Sequence, residues 1–409
     1  MRDKHKVLFI TTQLPYPAES GGKVKSWNYL LDLSKRYQLS LACFLKNEAE
    51  EKASNEFQKY IKLQHYYCEK LNISINPFNL IKSYMGHACL NTFRNYSTSF
   101  HKKIRNIAKD YDVLLIDHYE MFQYVPRDYK GKVVMHTHNA EFMLWYRMAE
   151  LSKNLIFKLL LKAESKRVKK FERFIFQKAD LVYATPSDIR LYKSHKIPVD
   201  NFQPTYHLGN DQMLKLKDVQ FENTELAITF MGTLSWEPNI DGLLWFIENI
   251  WPNILKAHPN VKLYIMGKKG NSKIYEIAQS YQDIVFTCFI KDLDSYLKKT
   301  RVYIVPLRFG SGMKVKTLEG LYRGIPMVST SIGAEGLAVK HQEDILLANT
   351  AKEFAKCCIE LIENQEKWNQ LRDNSRKIAA EKYQWIPLFE KMDLTLKKQF
   401  NPTYKNSLH

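Results

Sequence analysis

The sequence lacks a membrane-length apolar run: no stretch approaches the roughly 20 apolar residues that a bilayer span needs. It also lacks a Cys-x-x-Cys pair, a Gly-x-Gly-x-x-Gly fingerprint, internal repeats and low-complexity tracts. Its six cysteines, Cys43, Cys68, Cys89, Cys288, Cys357 and Cys358, are scattered along 409 residues. That pattern argues against a zinc site or a disulfide framework and fits a reducing compartment. The first apolar run, residues 7–12, is too short for the core of a secretory signal and reads as a buried strand. Collagen, coiled coil, integral membrane protein and small disulfide scaffold are thereby excluded.

What is present is core-forming. Hydrophobic residues make up 45% and aromatics 13%, too many for a disordered chain. The length suggests two domains. Lysine and arginine outnumber the acids by 18, and the excess is uneven: +14 in residues 1–200 and +4 in residues 201–409. The first half therefore expects an anionic neighbour, be it nucleic acid, an acidic membrane surface or a phosphorylated substrate.

Short apolar runs at 7–12, 113–117, 133–136 and 181–185 alternate with helical patterns at 23–37 and, as one long stretch, 141–178. The pattern restarts with strands predicted at 226–231, 261–266, 284–287, 302–305 and 326–330. Helices fit between and after them at 239–257, 313–323, 352–364 and 367–382. Continuous apolar strands alternating with helices indicate parallel sheets covered on both faces, an α/β class. The boundary is placed in the polar stretch 200–224. Pro387 is expected to bend the chain before a last short helix. Two such units imply a cleft, and ligands of open α/β sheets bind beyond the carboxyl ends of the strands.

Three post-strand loops carry candidate chemistry. Residues 13–23 end in Gly21-Gly22, where backbone can approach a ligand and a helix N-terminus offers free N–H groups. Residues 136–141 hold His136, His138, Asn139 and Glu141. They suit a substrate contact, and no third metal ligand lies nearby in sequence. Asp117-His118 ends a neighbouring strand with the same ambiguity. Residues 306–326 place Gly310-Ser311-Gly312, Lys314, Lys316 and Glu319 at a strand-to-helix turn. Such a turn favours phosphate, and Lys316 and Glu319, three apart, share a helix face. That spacing fits a nucleotide, with the carboxylate accepting ribose hydroxyls, and equally a surface ion pair. Residues 153–178 carry nine basic groups interleaved with Leu155, Ile156, Leu159, Leu160, Phe171, Phe174 and Ile175. They read either as a solvated amphipathic helix or as one resting on anionic lipid.

The runs 230–246, Trp251-Pro252, 305–319, 324–330 and 333–336 together resemble family 4 glycosyltransferases, glycosyl transferases group 1. The 15–22 loop, His138-Asn139-Ala140-Glu141 and Phe171-Glu172 also match. The resemblance implies the GT-B fold: two Rossmann-like, doubly wound parallel-sheet domains facing across a cleft. It places an acceptor-binding domain at 1–205, a nucleotide-sugar-binding domain at 206–385, and a helix and tail at 386–409 returning to the first domain. It implies that His138 lies beside the transferred sugar as the catalytic residue. Gly22, Gly312, Lys314, Lys316 and Glu319 would bind the donor, and Gly21, Asn139 and Glu141 the acceptor. Ser311 stands where the family often has a Glu, and Thr233 and Asn239 where many members carry Arg and Lys. Cys288 stands where a Gly often lies under the base. Lys314 or Lys316 then becomes the supplier of positive charge to the diphosphate.

The resemblance further implies retention of configuration without a metal or other cofactor. The leaving diphosphate takes the acceptor's proton, and the protein positions groups and stabilises charge. No hydrolytic carboxylate pair is visible. The expected enzyme transfers sugar from a nucleotide-sugar donor to a glycan or lipid-linked sugar acceptor, in the cytoplasm or peripherally on the inner face of an anionic membrane. No nucleic-acid partner is expected. A GT-B sugar-nucleotide epimerase remains open as the nearest alternative. A basic nucleic-acid-binding protein is the alternative from another class, without a recognised binding module to support it.

Overall fold

The computed structural model describes residues 5–18, 20–74, 76–267, 272–287, 293–310 and 312–400. The chain divides into two compact units, Met1–His207 with Trp385–His409, and Leu208–Gln384.

The first unit is built on seven strands: β1 Lys6–Thr11, β2 Gln38–Leu45, β3 Tyr66–Lys70, β4 Val113–Asp117, β5 Lys132–His136, β6 Leu181–Ala184 and β7 Phe202–Pro204. Their order is β3-β2-β1-β4-β5-β6-β7, and every pairing is parallel. The central strands are apolar throughout because helices cover both faces: β4 is buried at all five positions and β1 at five of six. The second unit has β8 Ala227–Met231, β9 Lys262–Met266, β10 Ile284–Thr287, β11 Val302–Val305, β12 Met327–Ser329 and β13 Leu346–Leu347. Its order is β10-β9-β8-β11-β12-β13, again all parallel.

Two helical expectations need correction. The stretch read as one helix over 141–178 is two, Glu141–Leu151 and Leu155–Lys178. Asn154 ends the break by accepting a hydrogen bond from the Phe157 N–H at 3.0 Å, an N-cap that needs neither glycine nor proline. The stretch 239–257 likewise divides into Glu237–Asn249 and Trp251–Ala257. Pro252 opens the second piece, where its missing N–H is no loss. Pro387 sits in the first turn of the helix Trp385–Phe400 and leaves it continuous.

That last helix is part of the first unit. Asp393 accepts from Tyr37 Oη at 2.6 Å, Arg36 Nη1 at 3.3 Å and Lys397 Nζ at 2.6 Å. Tyr183 Oη donates to the Met392 carbonyl at 2.7 Å, and Phe389 stacks on Tyr29. Replacing Asp393 by alanine strands a buried tyrosine hydroxyl. We expect about 1–3 kcal/mol of destabilisation, read as a lower urea midpoint for a probe in the first unit; an unshifted midpoint would show that Asp393 does not anchor the helix.

Candidate active site

In the first unit the carboxyl edge of the sheet gathers polar groups around one carboxylate. β4 lies between β1 and β5, so Asp117 ends beside Thr11 and opposite His136. Asp117 is fully buried. Its Oδ2 accepts from Thr11 Oγ1 at 2.8 Å and Ser26 Oγ at 2.7 Å. Its Oδ1 meets His136 Nδ1 and His138 Nε2, each at 2.7 Å. Burial works to raise this carboxyl, but His138, His118 and the hydrogen bonds prevail and hold it well below the usual range. An ionised Asp117 only accepts, so both histidines donate to it. His138 is then left with Nδ1 as an acceptor. Burial lowers the imidazole, with Asp117 opposing, so the ring is neutral at pH 7. Nδ1 faces Gly22: a Cβ added there would sit 3.6 Å away.

Around this pair stand Lys25 and His207, which sequence patterns did not single out, and His118, which they did. Lys25, buried on the inner face of helix Gly21–Arg36, donates to the Thr137 carbonyl at 2.8 Å and meets His207 Nε2 at 2.8 Å. Burial lowers its amine to about 7, against the pull of Asp117 and Asp188. His118, at φ 75°, stacks on His138 with centroids 3.7 Å apart, and burial lowers its ring to about 3. The remaining candidates pair locally. Asn139 Nδ2 donates to Glu141 Oε1 at 3.0 Å, and burial raises Glu141 to about 6. Glu172 caps the helix Glu141–Leu151 by accepting from the Glu141 and Phe142 N–H groups. Gly21 is the first residue of its helix.

Asp117 also supplies the third group that local sequence did not reveal for a metal: its ligand atom and those of His136 and His138 all lie within 4.8 Å of one another. The two 2.7 Å contacts are hydrogen-bond lengths. A zinc ion would need about 2.0–2.2 Å to each donor, with both protons displaced.

In the second unit the loop after β11 leads into helix Val315–Arg323. Gly310 at φ +141° and Gly312 at φ +70° occupy backbone regions that side chains disfavour. Ser311 and Cys288 lie outside the described residues. The helix starts two residues later than the sequence pattern suggested, which makes Lys314 its N-cap rather than a helical position. The Lys314 amine donates to the Gly312 carbonyl and lies 3.8 Å from Glu335. Lys316 turns inward. Its amine donates to Asn239 Oδ1 and lies over the Phe230 ring at 4.5 Å. Asn239 in turn donates to the Thr233 carbonyl at 2.9 Å. A Cβ on Gly232 would sit 3.0 Å from the Lys316 amine. Lys316 thus carries positive charge to the Thr233–Asn239 position. Burial, with Lys314 adding, lowers its amine to about 7.

Glu319 follows one turn on, beside Gly209, whose added Cβ would lie 3.0 Å from Glu319 Cγ. The surface ion pair with Lys316 that the spacing allows does not form. No hydrogen bond or ion pair of the Glu319 carboxylate occurs among the described residues, and burial raises it to about 7. The arrangement is a buried cation at a glycine-flanked helix start with an unengaged carboxylate one turn further. It suits an anion followed by a pair of hydroxyls.

The segment that carries Lys316 and Glu319 resembles known proteins. Residues 225–364 match the model described as Glycosyl transferases group 1. That segment lies wholly within the second unit, Leu208–Gln384. The chain is 26% identical over 398 residues to an uncharacterized 44.6 kDa protein in the cps region of Klebsiella pneumoniae, covering 92% of this chain and 96% of that protein. It is 24% identical over 400 residues to the putative glycosyltransferase YtcC of Bacillus subtilis (strain 168), covering 91% and 87%. Among solved structures, Anabaena Alr3699/HepE in complex with UDP and glucose aligns at TM-score 0.70 and 13% identity, over 96% of this chain and all of that one. The fold is GT-B.

The depressed Lys316 amine sets a pH test. Its pKa falls from 10.5 unfolded to about 7 folded. The cost is therefore full below pH 7 and fades as the pH rises toward 10.5. Lys316→Met should raise the melting temperature of the ligand-free enzyme at pH 6 and lose that advantage by about pH 10. A gain that is flat with pH, or none, would mean that the amine is not buried as charge.

Proposed function

We propose that the protein is a glycosyltransferase that moves a sugar from a nucleotide-sugar donor to a glycan or lipid-linked acceptor, with retention of configuration, in cell-surface polysaccharide or glycolipid synthesis. The observation that carries the donor half is the unengaged Glu319 one turn beyond the Lys316 amine, inside the group 1 segment. The diphosphate lies against Gly312, Lys314 and Lys316, and the ribose hydroxyls bind Glu319. Lys316 is poised near neutrality, so an arriving diphosphate draws a proton onto it. The cation is then in place when negative charge grows on the leaving group. The solved complexes of Alr3699/HepE with UDP and with UDP-glucose make UDP-sugars the first donors to test. A relative named for its cps region fits a role in surface polysaccharide.

Gly21, Gly22, Asn139 and Glu141 serve the acceptor side, with Gly22 also approaching the donor phosphates. His138, held through Nε2, presents Nδ1 to the transferred sugar. Asp117 is enclosed by four donor groups, which leaves it no freedom to act as a nucleophile. This supports the front-face displacement, in which the diphosphate accepts the acceptor's proton as the C1–O bond breaks. No metal is required, and turnover should survive chelation by EDTA. Nucleotide release only when acceptor is present separates transfer from epimerisation.

Glu319→Ala should weaken donor binding by about 1–3 kcal/mol, seen as reduced thermal stabilisation by the UDP-sugar that binds wild type best. Unchanged affinity and turnover would remove Glu319 from the site.

A specific observation extends the proposal to the membrane. Among the described residues no helix is long and apolar enough to cross one. Yet Leu155, Ile156 and Leu159 are 69–76% exposed, and Phe78, Ile81 and Met85 are 64–77% exposed. Arg167 ties the two segments together by bonding the Ser83 and His87 carbonyls and stacking on Tyr84. Apolar side chains among lysines fit an interfacial contact on the inner, anionic leaflet. Co-sedimentation with anionic vesicles should fall when Leu155, Ile156 and Leu159 become Ser, or when Lys166, Lys169 and Lys170 become Gln. Arg167 is left intact because it holds structure. Equal recovery with neutral and anionic vesicles would defeat the membrane contact and leave the transferase reading standing.

A further inference from the structure

The first unit contains a cavity of about 250 Å³ that none of the residues above occupies. It is lined by Thr12, Gln13, Lys46, Asn72, Ile73, Arg94, Asn95 and Glu120. Its position follows from the topology. Thr12 and Gln13 follow β1, Lys46 follows β2, Asn72 and Ile73 follow β3, and Glu120 lies three residues beyond β4. These are four successive strands of the order β3-β2-β1-β4. The cavity therefore sits at the carboxyl edge of the sheet, the edge that also carries Asp117 and His138, where open α/β sheets take ligands.

The lining is built but incomplete. The Lys46 amine donates to Asn95 Oδ1 at 2.7 Å, and Arg94 Nε to the Ile73 carbonyl at 2.8 Å. Asn95 Nδ2 reaches Glu120 Oε1 only at 3.5 Å. Glu120 Oε2 is buried with no hydrogen-bond partner among the described residues. Such an oxygen is costly to leave unpaired. Burial raises the Glu120 carboxyl to about 8, with Glu141 adding and Lys46 and Arg94 opposing. The side chains of Gln13 and Asn72 make no hydrogen bond to the described protein.

We propose that this cavity is a subsite for an uncharged sugar ring of the acceptor, with Glu120 holding ring hydroxyls and Gln13 and Asn72 completing the contacts. The proposal rests on the glycosyltransferase reading and deepens it. The carboxyl group sets the ligand class: it gives and takes hydrogen bonds as a diol requires, while the Lys46 amine and the Arg94 Nε–H are already engaged by Asn95 and the Ile73 carbonyl. The volume suits one ring rather than a nucleotide.

The test uses the full-length enzyme and a panel of methyl glycosides: neutral hexosides, N-acetylhexosaminides, hexuronides and hexose phosphates. Saturation-transfer NMR reads their binding up to about 50 mM, and thermal shift reads nucleotide-sugar binding in the same samples. A neutral glycoside should bind wild type. Glu120→Gln and, independently, Asn72→Ala should each weaken it about tenfold. Nucleotide-sugar stabilisation should stay unchanged, because Glu319 and Lys316 belong to the other unit. No glycoside binding by wild type, a preference for the anionic sugars, or unchanged affinity in both variants overturns the subsite. Glycoside binding that falls in the variants, with no nucleotide-sugar binding by wild type, supports the subsite and instead breaks the transferase reading.

Discussion

The carboxylate of Asp117 is the constraint on which the first unit's chemistry depends. One buried residue accepts from a strand end, a helix side chain and two imidazoles. Thr11, Ser26, His136 and His138 come from four different segments, and only a common acceptor fixes them at once. The bonds decide more than position. By accepting the hydrogen bond of the His138 Nε2–H, Asp117 determines which nitrogen of that ring remains open toward Gly22. A buried anion of this kind is tolerated only when its hydrogen bonds are complete, as these are. The neighbouring Lys25 stands in a different balance, with burial pulling its amine toward neutrality.

The second unit presents the opposite case, ionisable groups buried without an opposite charge bonded to them. Lys316 and Glu319 are both desolvated without being paired to each other. Their perturbation in opposite directions leaves each near its switching point around neutral pH. Structural ion pairs do the reverse, driving both partners deeper into their charged forms. The glycines at 209 and 232 keep that space clear, since a side chain at the first would press on Glu319 and at the second on Asn239 and Lys316.

Much of this was legible before any coordinates. The apolar runs 113–117, 284–287 and 302–305 match their strands to the residue, because buried parallel strands are continuous apolar runs with sharp ends. β2 escaped because helix Gly21–Arg36 passes into it through Tyr37 with neither glycine nor proline to mark the change. β7 and β13, three and two residues long, are below what a pattern can detect. In the site, the Gly-Ser-Gly turn with Lys316 and Glu319 announced itself through spacing. Lys25 and His207 did not: a lysine on a helix and a histidine in a polar linker look solvated until the fold encloses them. Asp117 was visible only as a strand-end residue, since its four donors converge through tertiary structure. The 69–76% exposure of Leu155, Ile156 and Leu159 was likewise hidden, because the sequence pattern did not show the helix break at residues 152–154.

The return of helix Trp385–Phe400 to the first unit bears on how the molecule is made. The second unit, Leu208–Gln384, is contained within the sequence of the first. On the ribosome it is complete while the first still lacks the partner of Tyr37 and Tyr29. The half that begins synthesis is thus the half that finishes folding last. Its hydrophobic face toward Phe389 must stay unoccupied through the synthesis of a whole intervening domain. Any delay between residue 207 and residue 385 lengthens the interval in which that face is open to misassociation.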